Sequence, residues 1–283
     1  MGAISPFTLL REPDEEGVME PDAALQSILQ MLRSADDPGA RLFPPTELYS
    51  EGWMLRLLLW HGARGADCLP VRAAEGSGWY SEARLDSPFL KCPGGESNHL
   101  AEGQTHADGV LGHFAFRGNT EAGLVVPSDA RQLVVFEAKM MSRLSRGTTR
   151  APDYDQAARN VACMAWTLRQ AGLHADDLDS LGFFVVAPAE LIERESSFRA
   201  WVSQESIARK VEARVEDYKL DPERHDALKD WLLESFHPLL GKLELECVAW
   251  EDLLERISTS PDHTQLSEFY QRCLRYNRGV HSR

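Results

Sequence analysis

The stretch VVFEAKMMSR, residues 134–143, decides how the rest of the chain is read. Two valines and a phenylalanine are residues that fill a buried sheet. They run straight into a carboxylate and an amine two positions apart. Residues i and i+2 of a strand share a face, so Glu137 and Lys139 project together while Ala138 turns the other way, into the packing. A solvated ion pair at a strand end would account for two such charges, so the weight falls on their surroundings.

Outward from this strand, read over 132–138, the apolar pattern changes period. Downstream, after a polar connection, YDQAARNVACMAWTLRQAG predicts a helix over 153–171 closed by Gly172. LGFFVVAP is short, wholly apolar and ended by proline, as in a buried parallel strand. Residues 190–237 read as helical and highly charged, KLELECVAW as a last strand, EDLLERI as a helix directly after it, and PDHTQLSEFYQRCLRYN as a terminal helix. Upstream, HADGVLGHFAF alternates well enough for a strand at 107–116, and DCLPVRAAEGSGWYSEARLDSPFL is strand and turn material. KCPGGESNHLAEGQT is a loop on composition. Leu48, Trp53, Leu55, Leu58 and Leu59 recur at helical spacing and predict a helix over 47–62. PDAALQSILQMLRSADDPGA is an amphipathic helix that stops at a breaker cluster. Strands first paired by turns and then alternating with helices imply an α/β sandwich with a central mixed sheet. Residues 1–40 form an N-terminal helical extension in this division, and 41–283 the main domain, with a helical insert at about 190–237.

Composition narrows the function. The chain has 283 residues, 43% of them apolar, enough for a sizeable core. Its formal net charge of −14 excludes nucleic-acid binding by bulk charge, so any such role needs a local site, a metal or a partner. Five scattered cysteines without a CxxC pair fit a reducing cytoplasm, neither a disulfide framework nor a zinc ribbon. His99, His106 and His113, with Cys92, match no common zinc spacing. No apolar run reaches spanning length and the N-terminus lacks the pattern of a signal peptide, so the expectation is a cytoplasmic protein with no membrane contact. Trp53, Trp60, Trp166 and Trp250 lie in apolar contexts and are expected in the core.

The chemistry gathers around Glu137. Asp108, on the strand before, can bring a second carboxylate beside it, and like charges placed close are costly unless something positive lies between them. A divalent ion with oxygen ligands meets that need, with Lys139 near its water or near charge on a phosphate. Two acids open the helix at 47–62. Glu47 and Glu51 are one turn apart and are read as sharing a face, with Glu51 preferred because the apolar run follows it at once. Gln156 begins the helix after the Glu-Ala-Lys strand. Between Lys139 and Asp153 there is no acid, but Arg143, Arg146 and Arg150 appear among serines and threonines, a combination suited to phosphate oxygens.

Asp108, then FEAK at 136–139 on the next strand, then a helix carrying Gln156, resemble the PD-(D/E)XK nuclease superfamily, which has the restriction-endonuclease-like fold. The resemblance covers roughly residues 45–258, and its motif is short. Ala107 stands where the name's proline would be. The resemblance implies an αβββαβ core flanked by helices, and a nuclease dependent on Mg2+ or Mn2+ that hydrolyses phosphodiester bonds by metal-activated water. The catalytic set it implies is Asp108, Glu137, Lys139, Glu51 and Gln156. The metal set is Asp108, Glu137, Ala138 and Glu51, and substrate binding falls to Arg143, Arg146 and Arg150. The implied partner is nucleic acid, DNA before RNA, with a homodimer or protein partner left open and bacterial defence as the setting. The alternative is an inactive protein of the same fold acting as a binding or regulatory subunit, a reading that the acidity and the helical insert keep open.

Overall fold

The structure, a computed structural model, describes residues 23–35, 37, 39, 42–90, 100–118, 123–147 and 151–278. Its centre is β5 (Gln132–Ala138), in which every residue is buried. That follows from its place. The sheet also contains β1 (Gly78–Leu85), β2 (Thr105–Gly112), β6 (Ser180–Ala187) and β7 (Glu244–Ala249), in the order β1-β2-β5-β6-β7. β1 pairs with β2, and β2 with β5, antiparallel; β5, β6 and β7 run parallel. The chain is therefore α/β, with a five-stranded mixed sheet. The parallel pairs need crossovers. Helix α3 (Gln156–Ala171) carries the chain from β5 to β6, and a helical segment carries it from β6 to β7.

Both faces of the sheet are covered, which is why the middle of β5 (133–136) and the end of β6 (183–187) are continuously apolar rather than alternating. Leu133 and Val135 face one core with α3, whereas Val134 and Phe136 face another. On this second face lie α2 (Glu51–Ala63), α9 (Trp250–Arg256) and α10 (Asp262–Asn277). The β6–β7 crossover holds α4 (Ala189–Arg194), α5 (Ser197–Trp201), α6 (Gln204–Glu216), α7 (Pro222–Trp231), a π turn (Leu232–Phe236) and α8 (His237–Lys242). Its Val211, Val215, Tyr218 and Trp231 belong to the same core as α3. α1 (Ala23–Arg33) lies before all of these and leaves Leu25, Ile28, Leu29 and Met31 exposed.

Local signals set the ends of α3. The Asp155 carboxylate accepts from Ala158 N at 3.0 Å, and Gly172 closes the helix at φ 70°, the left-handed conformation glycine adopts without penalty. Gly109 of β2 lets α2 come close: a Cβ there would meet Leu59 Cδ1 at 2.8 Å and Leu55 Cδ2 at 2.9 Å.

Three expectations need correction. The strand expected over 107–116 stops at Gly112, whose φ is 145°, and a Cβ there would stand 2.2 Å from the Gln132 carbonyl oxygen. The chain turns away, and β3 (Ala115–Phe116) pairs instead with β4 (Leu124–Val125) in a separate ladder. The helix expected over 47–62 is two pieces: a 3-10 turn at Pro45–Glu47, then α2, whose N-cap Ser50 accepts from Trp53 N at 3.5 Å. Glu47 and Glu51 therefore do not share a helical face. Trp250 is buried, but Trp53 and Trp60 are 41% and 40% exposed, with the Arg56 and Arg64 guanidiniums 5.1 and 4.5 Å from their ring centres. Cys92 and His99 lie outside the described residues, and His113 ties three backbone segments together through Glu75 O and the Arg131 and Gln132 amides. Among the described residues no helix is long and apolar enough to cross a membrane.

Candidate active site

The C-terminal end of β5 is where the charged residues meet. Glu137 is the sixth residue of a strand buried on both faces, and its side chain is 0% exposed. It receives three side-chain donors. Lys139 Nζ and Gln156 Nε2 each stand 2.5 Å from Oε1, and Asn160 Nδ2 donates to Oε2 at 3.2 Å. Gln156 and Asn160 are i and i+4 on α3, so one face of that helix supplies both amides. The β2–β5 register sets Gly109 opposite Phe136, which brings Asp108 next to the strand end. There its Oδ2 accepts from Ala138 N at 2.7 Å. Glu51, the first residue of α2, accepts from Met140 N at 3.1 Å through Oε2. The backbone between these contacts is pinned twice more. Lys139 N donates to Val186 O at 2.8 Å, and the buried indole of Trp250 donates to Lys139 O at 2.9 Å.

Electrostatics follow from this crowding. Burial, and after it the negative charge of Asp108, push the Glu137 carboxyl well above the usual carboxylate range, with Lys139 opposing. For Lys139, burial by itself would lower the pKa. Attraction to Glu137, Asp108 and Glu51 outweighs it and holds the amine above its ordinary value. Three carboxylates against one ammonium leave a formal charge of −2.

The donor set of Glu51, Asp108, Glu137 and the Ala138 carbonyl is all hard oxygen, which suits Mg2+ or Mn2+ rather than a soft metal. As the side chains lie, no group of three or more His, Cys, Asp or Glu among the described residues is arranged to hold a metal ion. The reason is visible in the bonds: both Glu137 oxygens, one of Asp108 and one of Glu51 are turned onto donors of the protein itself. The chemistry of the set fits a divalent ion, and holding one would require some of these carboxylates to turn.

Not every candidate residue joins this group. Glu47 is exposed on its own 3-10 turn. The first part of the basic connection, residues 140–147, is anchored: Leu144 is buried, Ser145 N donates to Gln156 Oε1 at 3.2 Å, and Gln156 N donates to Ser145 O at 3.0 Å. Arg143 is engaged with Glu195, whose oxygens lie 2.9 and 3.1 Å from its nitrogens. Arg146 points into a neighbouring cleft, and Arg150 lies outside the described residues. Sequence reasoning missed Asn160 and Trp250 as contributors. Asn160 carried a signal, its place one turn beyond Gln156; Trp250 carried none beyond being apolar.

Compared with known proteins, the chain matches no protein-family model, no curated protein and no solved structure.

Proposed function

We propose that this protein is a metal-dependent nuclease of the PD-(D/E)XK type that hydrolyses phosphodiester bonds of nucleic acid, DNA before RNA. The order α2, β1, β2, β5, α3, β6 supports an αβββαβ, restriction-endonuclease-like core. The observation that carries the reading is the burial of Glu137 and Lys139 in one hydrogen-bonded group at the end of the central strand, beside Asp108. A surface ion pair would lie in water, and this one does not. Glu51, Asp108, Glu137 and Ala138 would hold Mg2+ or Mn2+, offsetting the formal −2. When bound, such an ion supplies Lewis acidity and lowers the pKa of water. Lys139 Nζ is the group able to donate to the oxygen on which negative charge develops. Gln156 and Asn160 orient Glu137.

A direct test is cleavage of single- and double-stranded DNA and RNA with added Mg2+ or Mn2+. Activity should appear only with the ion. Asp108→Ala should weaken ion binding in calorimetry, whereas Lys139→Ala should keep it. Activity that persists in excess chelator would sink the reading. One observation favours a second reading, a binding or regulatory subunit without catalysis: the carboxylates are already bonded to protein donors. Ion binding with no cleavage of any of the four substrates would decide for it.

A further inference from the structure

Beside the candidate site, between the connection after β5 and helix α6 of the crossover, lies a cleft of about 480 Å³. Arg146, Asp153, Asp155, Trp201, Arg209 and Lys210 line it. In a chain of net charge −14, three cations against two acids are a local reversal of sign. One of the acids is already neutralised: Asp155 caps α3 through Ala158 N and bonds the Lys210 ammonium. The same ammonium stands 5.0 Å from the centre of the half-buried Trp201 ring. What faces open space is the pair Arg146 and Arg209, both exposed and without an ion-pair partner among the described residues, opposed by the exposed Asp153. The cleft is joined to the site by covalent neighbours. Asp155 in its wall precedes Gln156, which donates to Glu137, and Ser145, bonded to Gln156, precedes Arg146.

We propose that this cleft holds the phosphodiester backbone of the nucleic-acid strand next to the bond being cut, with Arg146 and Arg209 on its phosphates and Trp201 offering a flat face to sugar or base. The proposal rests on the nuclease reading and adds to it a substrate groove made in part by the crossover helices. Guanidinium forks suit phosphate oxygens, and an aromatic face beside cations is the chemistry of single-strand grooves. An acidic peptide would also meet these arginines. The nucleic-acid strand is favoured because Arg146 and Asp155 in the cleft adjoin, along the chain, Ser145 and Gln156, which are bonded to each other and, through Gln156, to Glu137.

Binding of labelled single-stranded DNA, duplex DNA and RNA to full-length Lys139→Ala protein with Mg2+, read by fluorescence anisotropy over a range of salt, tests this. Adding Arg146→Ala and Arg209→Ala together should weaken binding roughly tenfold or more, and should reduce the magnitude of the slope of log affinity against log salt by about 1.4 to 1.8, since each lost phosphate contact removes a released counterion. The strand type that loses most identifies the substrate. Both arginines are exposed, so calorimetric ion binding and thermal stability should stay unchanged, and Arg275→Ala on α10 should leave the slope as it is. An unaltered affinity and slope in the double variant, with cleavage by the wild-type protein intact, would overturn the cleft and leave the nuclease reading standing. Polyglutamate displacing the labelled strand more strongly than unlabelled DNA would assign the cleft to an acidic peptide and overturn it as well. Absence of both binding and cleavage in the wild-type protein would remove the nuclease reading and the cleft together.

Discussion

Glu102 and Glu137 are both buried carboxylates, yet their surroundings differ in sign. Glu102 accepts from Arg214 Nε at 3.0 Å and from Ser87 Oγ at 3.1 Å, and Arg214 also donates to Leu100 O at 2.6 Å. Arg214 also donates to Asp217 at 2.9 Å, and Arg159 adds a second positive charge near Glu102, so two acids face two guanidiniums and tie α6 to the segment before β2. Burial pushes both carboxyls up. For Glu102 the next influence, Arg214, pulls it back; for Glu137 the next influence, Asp108, pushes it further. The first arrangement is balanced and explains a joint in the fold. The second carries more negative charge than its one ammonium offsets, an excess that the proposed divalent ion would neutralise.

The largest effect should separate the two in function. Lys139→Ala should lower cleavage by roughly three orders of magnitude or more in a gel assay while the strand still binds, because positioned proton donors and charge stabilisers act at that scale. Arg214→Met should leave the rate per folded molecule near that of the wild type. Undiminished cleavage in Lys139→Ala would reduce the Glu137 group to a second structural pair.

Stability should separate them the other way. Arg214→Met strands Glu102 in the core and should cost about 3–5 kcal/mol in urea unfolding. Gly109→Val, which drives a side chain into Leu55 and Leu59, should cost less, about 1–3 kcal/mol, and should disturb Glu51 through α2.

pH sharpens the comparison. A carboxyl raised in the fold stabilises it by holding its proton. That contribution is full below the ordinary carboxylate pKa and is lost as pH rises through the raised value. Stability of the metal-free protein should therefore fall with rising pH across that window, and divalent binding, which competes with the same proton, should tighten. Glu137→Gln should flatten both trends, and Glu102→Gln should flatten only the first, by less. A proton-independent ion affinity in the wild type would remove Glu137 from the ligand set.

The smallest effect belongs to the surface. Arg143, 67% exposed in its side chain and paired with Glu195, should contribute less than about 1 kcal/mol. Its alanine variant should leave the salt dependence of binding unchanged, unlike the Arg146 and Arg209 pair. A lost counterion in that variant would return Arg143 to the substrate surface.

Much of this was written in the chain itself. The bounds of β5, the apolar β6, the capped α3 and the order of elements follow from period, β-branched content and a C-terminal glycine, all local properties of consecutive residues. Glu137 and Lys139 share a face for the same reason, since side-chain direction alternates along any strand. What the sequence could not hold is whatever depends on a neighbour distant along the chain. The end of β2 is set by the close approach of Gln132 to Gly112. Ser50 and the turn before it part Glu47 from Glu51. Trp53 and Trp60 read as apolar core but lie on the outer side of α2, because period alone does not say which side of a helix finds a sheet. The burial of Glu137, the collapse of the carboxylates onto protein donors and the meeting of Arg146 with Arg209 were decided only when strands, α3 and α6 packed together, since charge and solvation belong to positions in space and not to positions in sequence.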